Sequence, residues 1–69
     1  MVEVFITDVE NEQLAEKISH ALIAIFPKMT VHFDLQDCDR ILRCESDIID
    51  ADAVMTVVKS FSIRISVLI

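Results

Sequence analysis

The chain has 69 residues, with 12 Asp and Glu against 6 Lys and Arg, for a formal net charge of -6 at pH 7. It holds no Gly, Trp or Tyr, a single Pro and two Cys, and 54% of its residues are hydrophobic. Without Gly there is no Walker loop, dinucleotide fingerprint or EF-hand, and the acidic balance argues against nucleic acid or an anionic membrane as partner.

The length predicts one domain over residues 1–69, held together by a core dense in aliphatic side chains. Two Cys are too few for a disulfide framework. The start, Met1-Val2-Glu3-Val4, lacks the basic n-region of a signal peptide. The longest strictly apolar run, Ala21 to Phe26, falls far short of the roughly 20 residues that span a bilayer. The expectation is a soluble cytoplasmic domain with free thiols.

Val2 to Thr7 alternates, with Val2, Val4 and Ile6 on one side and Glu3, Phe5 and Thr7 on the other, which predicts a strand with one buried face. The first set is taken as inward. Asp8 to Glu12 then reads as a polar connection, with Asn11 as helix N-cap. Leu14, Ile18, Leu22 and Ile25, flanked by Ala15 and Ala21, form an apolar stripe at helical spacing until Pro27 stops the helix.

Thr30 to Leu35 alternates again, with Val31, Phe33 and Leu35 inward. Arg40 to Glu45 is a third strand with Leu42 and Cys44 inward, because the other phase carries Arg43. A two-residue turn at Cys38-Asp39 sets Leu35 against Leu42 and Phe33 against Cys44. The same register sets Asp34 against Arg43, His32 against Glu45 and Asp37 against Arg40. The favoured primed turns want Asn-Gly or Asp-Gly, so a bulge or longer turn stays open.

Asp50 caps a second helix, with Ile49 and Val54 placed as a hydrophobic staple. Val54, Val57, Val58 and Phe61 share one face of that helix. Ile63, Ile65, Val67 and Ile69 form a last alternating strand. The order β-α-β-β-α-β is the split β-α-β arrangement: a ferredoxin-like α+β sandwich whose four-stranded antiparallel sheet has order 4-1-3-2, with both helices on one face.

The spacings Leu14-x3-Ile18-x3-Leu22, Val31-x-Phe33-Asp34-Leu35 and Val54-x2-Val57-Val58-x2-Phe61 resemble the heavy-metal-associated domain family. That family includes copper chaperones and the small cytosolic domains of metal-pumping ATPases. The resemblance covers nearly the whole chain. It implies a Cys-x-x-Cys in the loop entering the first helix, where two thiolates clamp a soft ion. Matching Ile18 and Leu22 sets those cysteines on Asn11 and Leu14, which supply no soft ligand. The family glycine near the end of the second helix is replaced by Ser60. The resemblance is therefore to a degenerate member whose metal role does not carry over, and no cofactor is expected.

The cysteines present sit elsewhere. Cys38 is predicted at the hairpin tip and Cys44 six residues on; at ~3.3 Å per residue they lie roughly 20 Å apart, beyond the ~7 Å reach of a disulfide. Cys44 reads as a small buried hydrophobe and Cys38 as an exposed turn residue. His20 reads as a helix-surface residue. His32 reads as an edge-strand residue that, with Glu45, is at most a two-ligand site. The acids group as Asp8, Glu10 and Glu12, as Asp34, Asp37 and Asp39, and as Glu45, Asp47, Asp50 and Asp52. They suit turns, caps and solubility, with the hairpin group open to a hard cation.

Enzyme readings find no support: no Ser, His and Asp set sits at a nucleophile elbow. Acylphosphatase shares the topology but uses a glycine-rich, Arg-bearing phosphate loop where this chain has Asp8-Val9-Glu10. ACT-type sensors share it too, but usually place Gly at the ligand-binding turn. The outward sheet residues are taken as Glu3, Phe5 and Thr7, then Ile41, Arg43 and Glu45, then Arg64, Ser66 and Leu68, with His32 and Asp34 on the edge. Phe5, Ile41 and Leu68 would then be apolar residues among charges, a contact surface for a protein partner or a second copy of the chain. The leading expectation is a non-enzymatic interaction or regulatory module. The alternative is a copper or zinc carrier with a displaced site at Cys38, His32 or an intermolecular ligand set.

Overall fold

Short polar side chains at the two helix starts, and Pro27 just past the end of the first, divide the chain into its elements. The computed structural model describes residues 1–68. The elements run β1 (Val2–Thr7), α1 (Glu12–Ile25), β2 (Thr30–Asp34), β3 (Ile41–Glu45), α2 (Ala51–Lys59) and β4 (Ile65–Val67).

Asn11 is extended, and its Oδ1 accepts the Leu14 backbone N–H at 2.9 Å, satisfying a donor that the first helical turn leaves free. Asp50 does the same for α2, accepting from the Ala53 N–H at 3.1 Å. Asp52 in the first turn of α2 and Lys59 in its last lie as the helix dipole favours. α1 ends as the Phe26 N–H reaches the Leu22 carbonyl at 2.7 Å, immediately before Pro27.

The strands form one four-stranded sheet in the order β2-β3-β1-β4, every neighbouring pair antiparallel. This is the ferredoxin-like α+β arrangement expected from the sequence. The core lies between the sheet and the helices. Ala15, Ile18 and Leu22 of α1 and Val54 and Val58 of α2 are buried with Phe5, Leu42 and Cys44 of the sheet. Ile25, placed on the buried stripe by its spacing, is instead 56% exposed, because the chain turns away at Phe26.

The phase of β1 is the reverse of the expected one. Phe5 is 0% exposed and Thr7 is buried, while Val4 and Ile6 are half-buried and Val2 is exposed. Phe5 therefore belongs to the core and not to an outward contact surface. Cross-strand pairing explains it: Phe5 faces Leu42, and Leu42 faces Phe33, so one row of large apolar side chains points at the helices. Thr7 tolerates burial because its hydroxyl donates to the Arg40 carbonyl at 2.6 Å and accepts from the Val9 N–H at 3.3 Å. Val9, read as part of a polar connection, is itself fully buried.

The hairpin register is also displaced, by two residues. Phe33 pairs with Leu42 and Val31 with Cys44; His32 faces Arg43, and Asp34 faces Ile41. The parity survives, so Val31, Phe33, Leu42 and Cys44 still share the helix-facing side, but the three expected charge pairs do not form. A tight primed turn needs left-handed residues at its tip, and this chain has no glycine to supply them. A longer connection replaces it, in which Asp34 Oδ1 accepts from the Gln36 N–H and Asp37 Oδ1 from the Asp39 N–H. Arg40 closes the connection at φ 47, and Ser62 after α2 adopts φ 62. Each left-handed non-glycine residue costs on the order of 1 kcal/mol. Ser60, matched to the family's glycine, is ordinary right-handed helix; the left-handed residue comes two positions later. Ile63, expected in the last strand, is buried just before β4, and Ile69 lies outside the described residues.

Candidate interaction surface

Side chains alternate across a strand, so the residues that do not face the helices form the open side of the sheet. On β1 these are Val2, Val4 and Ile6. Val4 is opposite Arg43, Ile6 is opposite Ser66 and Val2 is opposite Glu45. The Leu68 N–H donates to the Val4 carbonyl at 2.8 Å, which sets Leu68 beside Val4. Ile41 precedes Leu42, the partner of Phe5, and by alternation lies on the open side at the Ile6 end of β1. The middle of the open face is thus an apolar stripe of Val4, Ile6, Ile41 and Leu68, with Leu68 44% exposed.

Around the stripe stand charges of both signs. Arg43 and Glu45 form an ion pair at 3.2 Å, both about half exposed, and His32 and Asp34 lie further out on β2. The broad dimensions of the molecule are 27 × 25 Å, against 17 Å through its thin direction. Of the expected surface residues, Ile41 and Leu68 lie on this face and Phe5 does not. Val4 and Ile6 were assigned inward from the sequence. The signal that locates them is the phase of the neighbouring strand: with Leu42 and Cys44 inward, their partners Phe5 and Glu3 must be inward too.

Both cysteines are free, Cys38 exposed and Cys44 buried. Burial, and then the charge of Glu3 directly across the strand pair, push the Cys44 thiol up to about 11 from an ordinary 9.0. Cys44 is a neutral core residue with no activating cation at hand. At the hairpin end, ligand atoms of Asp37, Cys38 and Asp39 lie within 4.8 Å of one another, and all three residues are exposed. Asp37 is already engaged by the Asp39 N–H at 2.8 Å.

Several other acids have structural partners: Asp8 accepts the Arg64 N–H at 2.9 Å, and Asp34 and Asp50 close a turn and a helix start. His20 is exposed on α1, and His32 is exposed and faces Arg43. At the positions matched to the family's metal cysteines, Asn11 caps α1 and Leu14 packs half-buried against the core. No helix among the described residues is long and apolar enough to cross a membrane. In comparisons with known proteins, no family model and no curated protein matches this sequence.

Proposed function

We propose that the chain is a non-enzymatic, cytoplasmic interaction module on a scaffold like that of the heavy-metal-associated domains, and that its open sheet face docks a second copy of itself. The apolar stripe of Val4, Ile6, Ile41 and Leu68 carries this reading. A two-fold interface brings a patch against itself, so it needs both signs of charge around an apolar centre. This face has both, in Arg43 with Glu45 and in Asp34, on a chain that is otherwise acidic. Sedimentation equilibrium tests it. The native chain should self-associate at micromolar concentration, and Leu68→Glu and Ile6→Glu should each weaken association at least tenfold. A native monomer up to millimolar concentration, or a dimer indifferent to Leu68→Glu, overturns the reading. A monomer that captures another protein through Ile6 keeps the face but changes its occupant.

A second reading is a soft-metal carrier with a displaced site at Cys38, His32 or an intermolecular ligand set, for which the exposed Cys38 thiol beside Asp37 and Asp39 is the available soft ligand. Titration of the reduced protein with Cu(I) or Zn(II) against a competing chelator separates the two. Stoichiometric binding abolished by Cys38→Ser would favour the carrier. Binding no stronger than that of a Cys-free variant would dismiss it.

A further inference from the structure

The sheet has a second unsatisfied feature, at its β2 edge. Met1 and Ser46 exchange both backbone hydrogen bonds, the terminal amine donating to the Ser46 carbonyl at 2.6 Å and the Ser46 N–H to the Met1 carbonyl at 3.0 Å. In an antiparallel ladder, bonding and non-bonding pairs alternate. The even residues of β3 therefore turn their backbone toward β1, and the odd residues Ile41, Arg43 and Glu45 turn toward β2. Their partners Asp34, His32 and Thr30 use their backbone groups on β3. Val31 and Phe33 are left with N–H and C=O groups directed out of the sheet, where β2 ends it.

Natural sheets guard such an edge with a bulge, a proline, an inward charge or a very short strand. The opposite edge, β4, is only three residues long. β2 has five residues with an uninterrupted ladder to β3, no proline and no inward charge. Beside it, between β2 and α1, runs a groove of about 620 Å³. Val31 and Phe33 form its strand wall, both half-buried. Ala15 and Ser19, one helical turn apart, form a low helix wall, and Glu12 and Glu16 stand on that same wall. Among the described residues no Lys or Arg lines the groove, and His32 stands at its rim.

We infer that this groove takes an extended basic peptide segment of a partner protein, added to the sheet as a fifth strand along β2. The exposed backbone of Val31 and Phe33 supplies main-chain hydrogen bonds. Alternate peptide side chains enter above Ala15 and Ser19, and a Lys or Arg of the peptide meets Glu12 and Glu16. The two acids select against a second copy of this chain as occupant, since β2 itself contains no Lys or Arg and each copy carries net charge -6. The inference stands apart from the open-face reading, because it uses the edge of the sheet and the side that faces α1.

A phage-displayed library of random nonapeptides, panned on the full chain, tests it. The expected consensus alternates apolar residues and contains at least one Lys or Arg. A synthetic peptide of that consensus should shift the Val31 and Phe33 amide resonances and slow their hydrogen exchange. Val31→Pro removes an outward N–H without touching the β3 ladder, and should weaken binding at least tenfold. Glu12→Gln with Glu16→Gln lies on an exposed helix face and should weaken it about fivefold, whereas Ile6→Glu should leave it unchanged. An acidic consensus, no consensus, shifts confined to Val4 and Ile6, or binding indifferent to both the Pro and the Gln variants overturns the inference. Loss of self-association in Val31→Pro also overturns it, by assigning the groove to a second copy.

Discussion

β1 carries large apolar side chains on both of its faces, and the two faces meet different surroundings. Toward the helices it presents Phe5, sealed at 0% exposure between Leu42 and the helix residues. Toward the open side it presents Val4 and Ile6, half-buried beside Leu68 and Ile41. Phe5 shares its side with Glu3 and Thr7, and Val4 and Ile6 share theirs with Val2, yet only the first side is sealed by a second layer. The difference teaches that a central strand in a two-layer domain records burial in volume rather than in the count of apolar residues. One phenylalanine fills the space beneath two helices, while three smaller residues remain on the surface to meet whatever binds there.

Truncating side chains on both faces of β1 should separate them most. Phe5→Ala should lose about 3–5 kcal/mol, because it leaves a cavity in a sealed site, whereas Val4→Ala should lose about 1 kcal/mol or less. Urea midpoints at constant m-value would measure both, and equal losses would erase the distinction.

The next effect concerns Cys44, on the helix-facing side opposite Glu3. Its folded-state pKa of about 11 lies above the ordinary 9.0, so folding favours the neutral thiol. Below pH 9 both states are protonated and the group does not alter stability. Between pH 9 and 11 the unfolded chain ionises while the folded chain does not, so stability should fall as pH rises through that window. Cys44→Ala should flatten the stability profile over that window. In the folded protein a thiol reagent should label Cys38 at once and reach Cys44 only as fast as the chain opens.

Thr7→Val probes the buried polar end of the strand. It keeps the volume but removes the bonds to the Arg40 carbonyl and the Val9 N–H, and should cost about 1–2 kcal/mol in thermal or urea unfolding. On the open side, Arg43→Ala breaks a half-exposed ion pair and should change the stability of the isolated chain by less than about 0.5 kcal/mol. Any larger effect of Arg43→Ala that grows with protein concentration would belong to the interface.

Much of the fold was legible because its signals are local. Asn11 and Asp50 each cap a helix through their own side chain, Pro27 blocks continuation through its own ring, and Leu42 and Cys44 were oriented by the charge on Arg43. The hairpin register was less so. It depends on how Leu35 to Arg40 turns without glycine, and the left-handed backbone at Arg40 becomes visible only once the connection is closed. The candidate surface was half legible: Ile41 and Leu68 follow from the alternation of their own strands, while Phe5 was assigned outward and Val4 and Ile6 inward. Alternation in β1 points the wrong way: its all-apolar phase, Val2, Val4 and Ile6, lies on the open side, and the mixed phase of Glu3, Phe5 and Thr7 faces the helices.

By themselves, residues near one another along the chain determined the element order, the two helix starts and the acidic balance, whereas α2 stops at Lys59, short of the Phe61 that spacing placed on it. The tertiary structure alone decided which side of β1 is core, where β2 sits against β3, and that Val31 and Phe33 leave backbone groups free beside α1. Those outcomes depend on which strand lies next to which. Cross-strand partners are distant in sequence, and a shift of one residue in a strand exchanges its two faces.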